Sequence, residues 1–409
     1  MIGEDRHGGW GVGGEEGGMH DVVVAGGGPA GLSAARTAGE AGARVLLLER
    51  ESAFGIPTRT SGGSFIADLA ALGVDPDLYN PITEVRFLGP TTEAVVRFER
   101  PVVCVLDVRA LYQRLAERAA AAGVELRLRT TVTGARAEAG GVVVEARGAG
   151  GPTTLRCRHA VDATGTAAVL AAAVGMHPPY ERRAVGAELD LAAPHCPPGT
   201  CWLIVGERLA PHGYAWVFPY RPGRVRLGVG VMRPDSDTDP RRLLDAVLAL
   251  PALAGALRDA QPVEQHAGLI PVAPLRTPIV GGGVVCAGDS ASHASSLVGE
   301  GIRYALGAGE AAGRAVGEAV RSGDPAPLRR FERTWHARHR RDFAVAWRVN
   351  RALTGFVDAR WDAAVEAIGS TPPWFVAASL RTDFRPRHIL RLGLTHPRLA
   401  ARYVRGARA

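Results

Sequence analysis

The chain has 409 residues, is 46% hydrophobic and 22% charged, and carries a formal net charge of +7 and five cysteines. That length holds two or three structural units around a large core, and that composition excludes wholesale disorder. No apolar run is long enough to cross a bilayer, and the glycine- and charge-rich start lacks the apolar core of a secretory signal.

Cysteines without paired C-x-x-C spacing point to a reducing, cytoplasmic compartment and to no metal site, with Cys196 and Cys201 expected as unlinked thiols. A basic chain suits an anionic ligand, a phospholipid surface or nucleic acid. Here the arginines are scattered through an Ala/Gly-rich sequence, and no nucleic-acid partner is expected.

Residues 1–18 are glycine-rich without periodicity and are expected to form a disordered extension, with Met19 as the natural start. Residues 21–31 then read DVVVAGGGPAG. A β-branched run over 22–24 leads into Gly26, Gly28 and Gly31 in G-x-G-x-x-G spacing, and a helix is expected over 32–41. Gly26 permits a tight turn, Gly28 lets a pyrophosphate approach the backbone, and Gly31 lets helix and strand pack closely. The helix N-terminus offers free N–H groups to phosphate. A second apolar run over 45–48 ends in Glu49, about twenty residues past the glycines, where a carboxylate can accept from a ribose hydroxyl.

A loop of small residues over 54–64 contains Thr60, Ser61, Gly62 and Gly63 and suits close approach to a flat ligand. Strands are expected over 84–88, 94–98 and 102–106, a helix from 107 to 122, and a strand over 124–129. A hairpin follows over 142–146 and 153–157, then a short buried strand in HAVDATG, 159–165, ending at Gly165. Residues 178–269 change texture to strands and Pro-containing loops, with one helix expected over 240–257. The apolar strand 284–287 runs into Gly288-Asp289-Ser290, and a helix is expected over 301–321 after the Gly299-Glu300-Gly301-Ile302 turn. From 325 onward the chain reads as helices rich in Arg and His.

Within the central unit, Tyr214, Trp216 and Phe218 alternate and so share one face of a strand, with Pro219 interrupting its pairing. Such a face suits a long apolar ligand, although a core-facing ladder is the commoner use of this pattern. His212 and His293 flank these motifs as candidate proton donors. A solvated loop histidine is the commoner identity of each, and no catalytic residue is assigned.

The set G-x-G-x-x-G…E, DVRALYQRLAERAAAAG, DATG, GDS and GEGIRYAL resembles the FAD-binding fold of the p-hydroxybenzoate hydroxylase type. GYAWVFP at 213–219 with GEGIRYAL at 299–306 resembles the geranylgeranyl reductase family. The resemblance spans about 20–325. It implies an α/β architecture: a Rossmann-like FAD-binding domain over 19–177 and 270–324, an inserted antiparallel-sheet substrate domain over 178–269, and a helical region over 325–409. By the same resemblance Gly26, Gly28, Pro29, Ala30 and Gly31 hold the FAD pyrophosphate. Glu49 holds the adenosine ribose, with Arg50 beside it. Ser61, Gly62, Arg109, Gly165, Gly288 and Asp289 are further cofactor contacts, and Gly299, Gly301 and Ile302 line the flavin ring. Tyr214, Trp216, Phe218 and Pro219 line a prenyl-chain site above it. Ser61 stands where family members commonly carry a cysteine.

The implied reaction is saturation of C=C bonds in a polyprenyl chain, with hydride from flavin N5 and with NAD(P)H or another reductant as electron donor. An oxygen-dependent hydroxylase or epoxidase acting on an aromatic or terpenoid substrate, and a non-catalytic prenyl-lipid binding flavoprotein, are the alternatives. A halogenase fits less well, because the aromatic motif ends in Phe-Pro. The segment 329–341 alternates Arg and His with Phe331 and Trp335; it reads either as an amphipathic helix on anionic lipid or as a solvated face on the protein itself.

Overall fold

The computed structural model describes residues 19–396, so the expected extension over 1–18 lies outside the described residues. Its centre is an eight-stranded sheet whose main path runs Val280–Gly281, Val284–Cys286, Gly151–Asp162, His20–Ala25, Val45–Leu48, Glu125–Arg127. The four strands from Val284–Cys286 to Val45–Leu48, and Glu125–Arg127 after them, pair in parallel. Strands covered on both faces read as unbroken apolar runs, and Val22, Val23 and Val24 are fully buried.

The expected hairpin strand and the HAVDATG strand are one element. Over Gly151–Asp162 its first part pairs antiparallel with Gly141–Gly148, and its last part runs parallel to His20–Ala25. The change of partner carries the chain from a surface hairpin into the sheet centre without a break.

Two helices cover one face, Pro29–Glu40 and Ile302–Ser322. They lie parallel. A Cβ on Gly309 would sit 2.2 Å from the Ala30 carbonyl oxygen, one on Gly313 2.2 Å from that of Ala34, and one on Gly317 2.5 Å from the Ala41 side chain. These glycines recur every four residues, so they form one stripe of the helix.

The second sheet has seven strands, ordered Gln261–Pro271, Arg183–Ala192, Arg224–Arg233, Tyr214–Arg221, Thr200–Ile204, Glu84–Leu88, Glu93–Arg97. Its outer two strands come from before residue 100, so the sheet is larger than the expected insert over 178–269. Thr200–Ile204 finds its outer partner in Glu84–Leu88, the one parallel pair of an otherwise antiparallel sheet. A small three-stranded sheet, Gly63–Phe65, Val103–Leu106 and Tyr79–Ile82, joins the two larger ones.

The helix expected over 240–257 is broken. Two short helical turns flank Leu244–Leu248, and Leu250 is extended (ψ 128°) before Pro251, whose ring excludes a helical predecessor.

The C-terminal part forms the helices Ala326–Leu353, Asp358–Gly369, Pro373–Leu380 and Pro386–Thr395. In the segment 329–341, Phe331 and Trp335 are buried within the main core, and the His293 ring stacks 4.8 Å from that of Trp335. Its apolar stripe is therefore taken by the protein, which removes the lipid-facing reading of this segment. Among the described residues no helix is long and apolar enough to cross a membrane, and all five cysteines are free and buried.

The glycine stripe yields a stability prediction. Gly313→Ala places a methyl 2.1 Å from Thr37 Oγ1 and 2.2 Å from a backbone oxygen. It should lower unfolding free energy by about 1–3 kcal/mol. Gly150→Ala, whose methyl meets nothing within 4 Å, should change it by less than about 0.5 kcal/mol. Denaturant melts of the two variants compare them directly.

Candidate functional site

The opening glycines each do a different job. Gly26 turns with φ +102°, and a Cβ there would lie 2.3 Å from the Ala163 carbonyl oxygen. A Cβ on Gly31 would lie 1.9 Å from the Gly26 oxygen, so this glycine is needed for the turn to close. A Cβ on Gly28 meets nothing within 4 Å: the space in front of it is open. Gly28 also precedes the helix Pro29–Glu40, which has no side-chain cap and no acid in its first turn. The first helical bond runs from Leu32 N–H to the Gly28 oxygen, which leaves the N–H groups of Ala30 and Gly31 for a ligand.

Glu49 closes this end. Its Oε2 accepts from Gly27 N–H at 2.6 Å and its Oε1 from Glu51 N–H at 2.9 Å. Each oxygen keeps a lone pair for a further donor. Gly165, with φ +72° and nothing within 4 Å of its Cβ position, opens the turn beyond Asp162.

Gly288 and Asp289 meet the same crevice from the third strand end. A Cβ on Gly288 would lie 2.9 Å from the Ala30 methyl, and one on Gly301 3.7 Å from Asp289 Oδ1. Among the described residues the Asp289 carboxylate accepts no hydrogen bond; only its backbone oxygen does, from Tyr180 Oη at 2.6 Å and from Ser292 N–H at 3.1 Å. Burial pushes this carboxyl up to about 7. A half-buried carboxylate without donors is open to hydroxyls from a ligand. The open cradle at Gly28 and the donor-less Asp289 together fit the pyrophosphate and polyol of FAD.

The Gly299–Ile302 turn, which precedes the helix Ile302–Ser322, faces the loop that holds Ser61 and Gly62. Ser64 Oγ donates to Glu300 Oε1 at 3.2 Å and ties turn to loop. From the other side Arg226, 2% exposed, donates through Nη1 to the Ser61 and Leu106 oxygens, each at 3.0 Å.

Between turn and loop opens a largely apolar cavity of about 1340 Å³, mouth included. Its far wall is one face of the second sheet. Tyr214, Trp216 and Phe218 all line it, with neighbouring ring centroids 5.6 and 6.3 Å apart. The Trp216 indole lies over Gly228, where a Cβ would come within 2.3 Å of its ring. The Tyr214 hydroxyl donates to the Val298 oxygen at 2.5 Å, beside Gly299.

Other residues singled out in the sequence are engaged within the chain. Pro219 does not line the cavity. It lies within Tyr214–Arg221, paired with Val225, and alternation turns it away from the aromatic face; a register shift after it, not a strand end, absorbs its missing N–H. Arg50 is exposed and pairs with Glu51. Arg109 is held by Glu264 at 2.9 Å, with its Nε buried and unpartnered. His293 is fully buried rather than solvated, accepting from Gly288 N–H at 3.2 Å, and burial holds it well below the usual imidazole range. His212 Nδ1 bonds the Thr354 oxygen at 2.6 Å.

Glu188 and His266 line the cavity beside Trp216. Neither stands out in the sequence. The signal is there: Glu188 and Asp190 alternate with Ala187, Leu189 and Leu191, a pattern that ordinarily marks a solvent face.

Comparison with known proteins bears on the same parts of the chain. Residues 21–182 match the family model described as FAD dependent oxidoreductase, and residues 187–270 match geranylgeranyl reductase catalytic domain. A digeranylgeranylglycerophospholipid reductase of Methanopyrus kandleri is 30% identical over 366 residues, covering 85% of this chain and 90% of its own. A geranylgeranyl bacteriochlorophyll reductase-like protein of Thermoplasma acidophilum superposes with a TM-score of 0.81 at 23% identity, over 94% of this chain and 98% of its own. The p-nitrophenol 4-monooxygenase of Pseudomonas putida shares the fold at a TM-score of 0.70 and 17% identity, over 90% of this chain and 99% of its own.

Gly28→Val tests the cradle. Because the site in front of Gly28 is open, apoprotein stability should fall by no more than about 1 kcal/mol, the scale of an altered helix cap. Affinity for FAD, followed by flavin fluorescence quenching, should drop more than about tenfold, because the side chain occupies the pyrophosphate's place.

Proposed function

Because this chain belongs to the geranylgeranyl reductase family of FAD-dependent oxidoreductases, we propose that it saturates carbon–carbon double bonds of a polyprenyl chain. NAD(P)H or another low-potential reductant supplies the electrons. Bound FAD, once reduced, contributes the hydride. The observation that carries this reading is the cavity itself: the Gly299–Ile302 turn and the Tyr214–Trp216–Phe218 row are two walls of one apolar space.

The chain's own residues bind and orient. Gly26, Gly28 and Gly31 with the first turn of Pro29–Glu40 receive the pyrophosphate, Glu49 the ribose, and Asp289 the hydroxyl chain. The N-terminal end of the helix Ile302–Ser322, where Glu300 Oε1 accepts the Arg303 N–H at 3.4 Å, directs its dipole to the ring side. The aromatic row holds a flexible hydrocarbon tail in few conformations, which lowers the entropy lost at the reacting bond. The apolar walls, once the substrate tail fills the space between them, exclude water from a step that needs both a hydride and a proton. A substrate of this class resides in lipid, so the reading includes transient docking at a membrane surface.

Two measurements test this. Under anaerobic conditions the reduced protein should be reoxidised by a polyprenyl lipid, and product mass should rise by two hydrogens per bond. Oxygen from labelled O₂ in the product would make the protein a monooxygenase, and tight lipid binding without turnover would make it a carrier. Phe218→Ala removes one aromatic wall and should raise KM about tenfold, in line with the roughly 1.5 kcal/mol that burying substrate against that ring supplies, while bound FAD stays unchanged.

A further inference from the structure

The cavity is apolar apart from a few groups, and two of those are buried, titratable and in contact. Glu188 is 5% exposed and His266 8% exposed. They face each other across the paired strands Arg183–Ala192 and Gln261–Pro271, in register. His266 Nε2 lies 3.1 Å from Glu188 Oε1, and Trp216 Nε1–H donates to Glu188 Oε2 at 2.7 Å. His266 Nδ1 is buried and has no partner among the described residues.

Resting on the reading above, we propose that Glu188 is the proton donor of the saturation step and that His266 is the positioning residue that holds and refills it. One carbon of the alkene takes the hydride of the reduced flavin. The other takes the Glu188 proton as the π bond breaks and two C–H bonds form. Glu188 is left as carboxylate, stabilised by Trp216 N–H, and is reprotonated through His266 after product leaves.

The surroundings favour this division of labour. Burial is the largest influence on Glu188 and holds its carboxyl up to about 7, with Arg226 and the Trp216 N–H opposing and Asp190 adding. Burial also lowers His266, against the pull of Glu264 and Asp190 and together with Arg226 and Arg109. Below about 7 the acid therefore carries its proton beside an imidazole that burial keeps neutral, and through that imidazole the carboxylate is refilled after turnover. Tyr214 and the Cys201 thiol, the remaining titratable groups on this wall, are pushed far above neutrality by burial and stay protonated. Among the described residues no other carboxyl lines the aromatic wall. Glu300 belongs to the opposite wall and is already bonded by Ser64 and Arg303.

The test uses the full-length flavoprotein and its apoprotein. Glu188→Gln keeps the hydrogen-bond geometry but has no acidic proton. It should lower kcat for saturation about 100-fold, within the range for general-acid loss, with KM and FAD content little changed. His266→Asn should move the alkaline limb of the kcat–pH profile and retain more activity than Glu188→Gln. In the apoprotein, the indole N–H resonance of Trp216, assigned with Trp216→Phe, should titrate with a midpoint near 7 and stop titrating in Glu188→Gln. An indole signal flat from about pH 5 to about pH 9, two units either side of neutrality, or wild-type kcat in Glu188→Gln, overturns the assignment. A wild type that saturates no polyprenyl while its indole signal still titrates overturns the reading of the reaction, and leaves the shared proton demonstrated.

Discussion

The whole arrangement depends on two parallel helices that touch through glycine. Where Gly309, Gly313 and Gly317 face Ala30, Ala34 and Ala41, no side chain fits between the backbones. Because the helices run parallel, their N-termini point to the same end of the molecule, and their dipoles add there instead of cancelling. Gly309 is seven residues past the first residue of its helix, Ile302, and lies level with Ala30, one residue past Pro29. The later helix therefore projects about six residues, roughly 9 Å at the helical rise, beyond the start of the earlier one. One helix end thus serves the pyrophosphate cradle and the other the turn at Gly299–Ile302. Both sites are consequences of a single close contact, and widening it would separate them.

The second sheet is unusual in the direction of its faces. The apolar residues Ala187, Leu191, Leu227, Val229 and Val231 pack on one side beneath Leu244, Val247 and Leu253. The side that ordinarily meets water carries Glu188, Asp190, Arg226 and His266, and is turned inward, toward the glycine loop and the cavity. Buried charge of this kind is tolerated only when hydrogen-bonded. Here the partners are specific: Asp190 takes Arg224 at 2.6 Å and Tyr220 at 3.0 Å, and Arg226 takes two backbone oxygens of the opposite unit and lies 4.1 Å over the Tyr220 ring. Arg226 therefore acts as a strut between the sheet and the loop at Ser61, and loss of its charge would loosen the cavity at the cofactor end.

What the sequence discloses divides along physical lines. Local chemistry is legible: the Gly26 turn, the Glu49 strand end, the Gly288-Asp289 step and the alternating aromatics are set by φ, by the missing Cβ and by strand periodicity, all within a few residues. Long-range pairing is not. Nothing in 84–97 announces that these strands complete a sheet made mostly of residues after 183, because an edge strand's partner is chosen by packing. Pro219 reads as a break in pairing because its missing N–H is visible in the sequence and the bulge that accommodates it is not. His293 reads as solvated because its stretch is small and polar. Its burial follows from Trp335, some forty residues later, closing over it. Glu188 stays hidden because an alternating polar face carries the same signature toward water and toward a cavity.

Two carboxyls on this chain are pushed to about 7 by burial, yet their surroundings give them opposite tasks. Asp289 has no donor of its own among the described residues. Hydroxyls supplied by a bound cofactor would favour its charged form and draw its pKa down, so it acts as an acceptor fixed by the ligand it holds. Glu188 already has its donor, Trp216, and a base, His266, at hydrogen-bond distance within the chain. The apolar chain brings neither charge nor donor and only deepens the burial, so a group with built-in partners holds its proton more firmly once the chain is in place. Two groups of the same chemistry thus part company by what each lacks: one wants a ligand's hydroxyls to become an anion, and the other is left holding a proton in a place from which water has been removed.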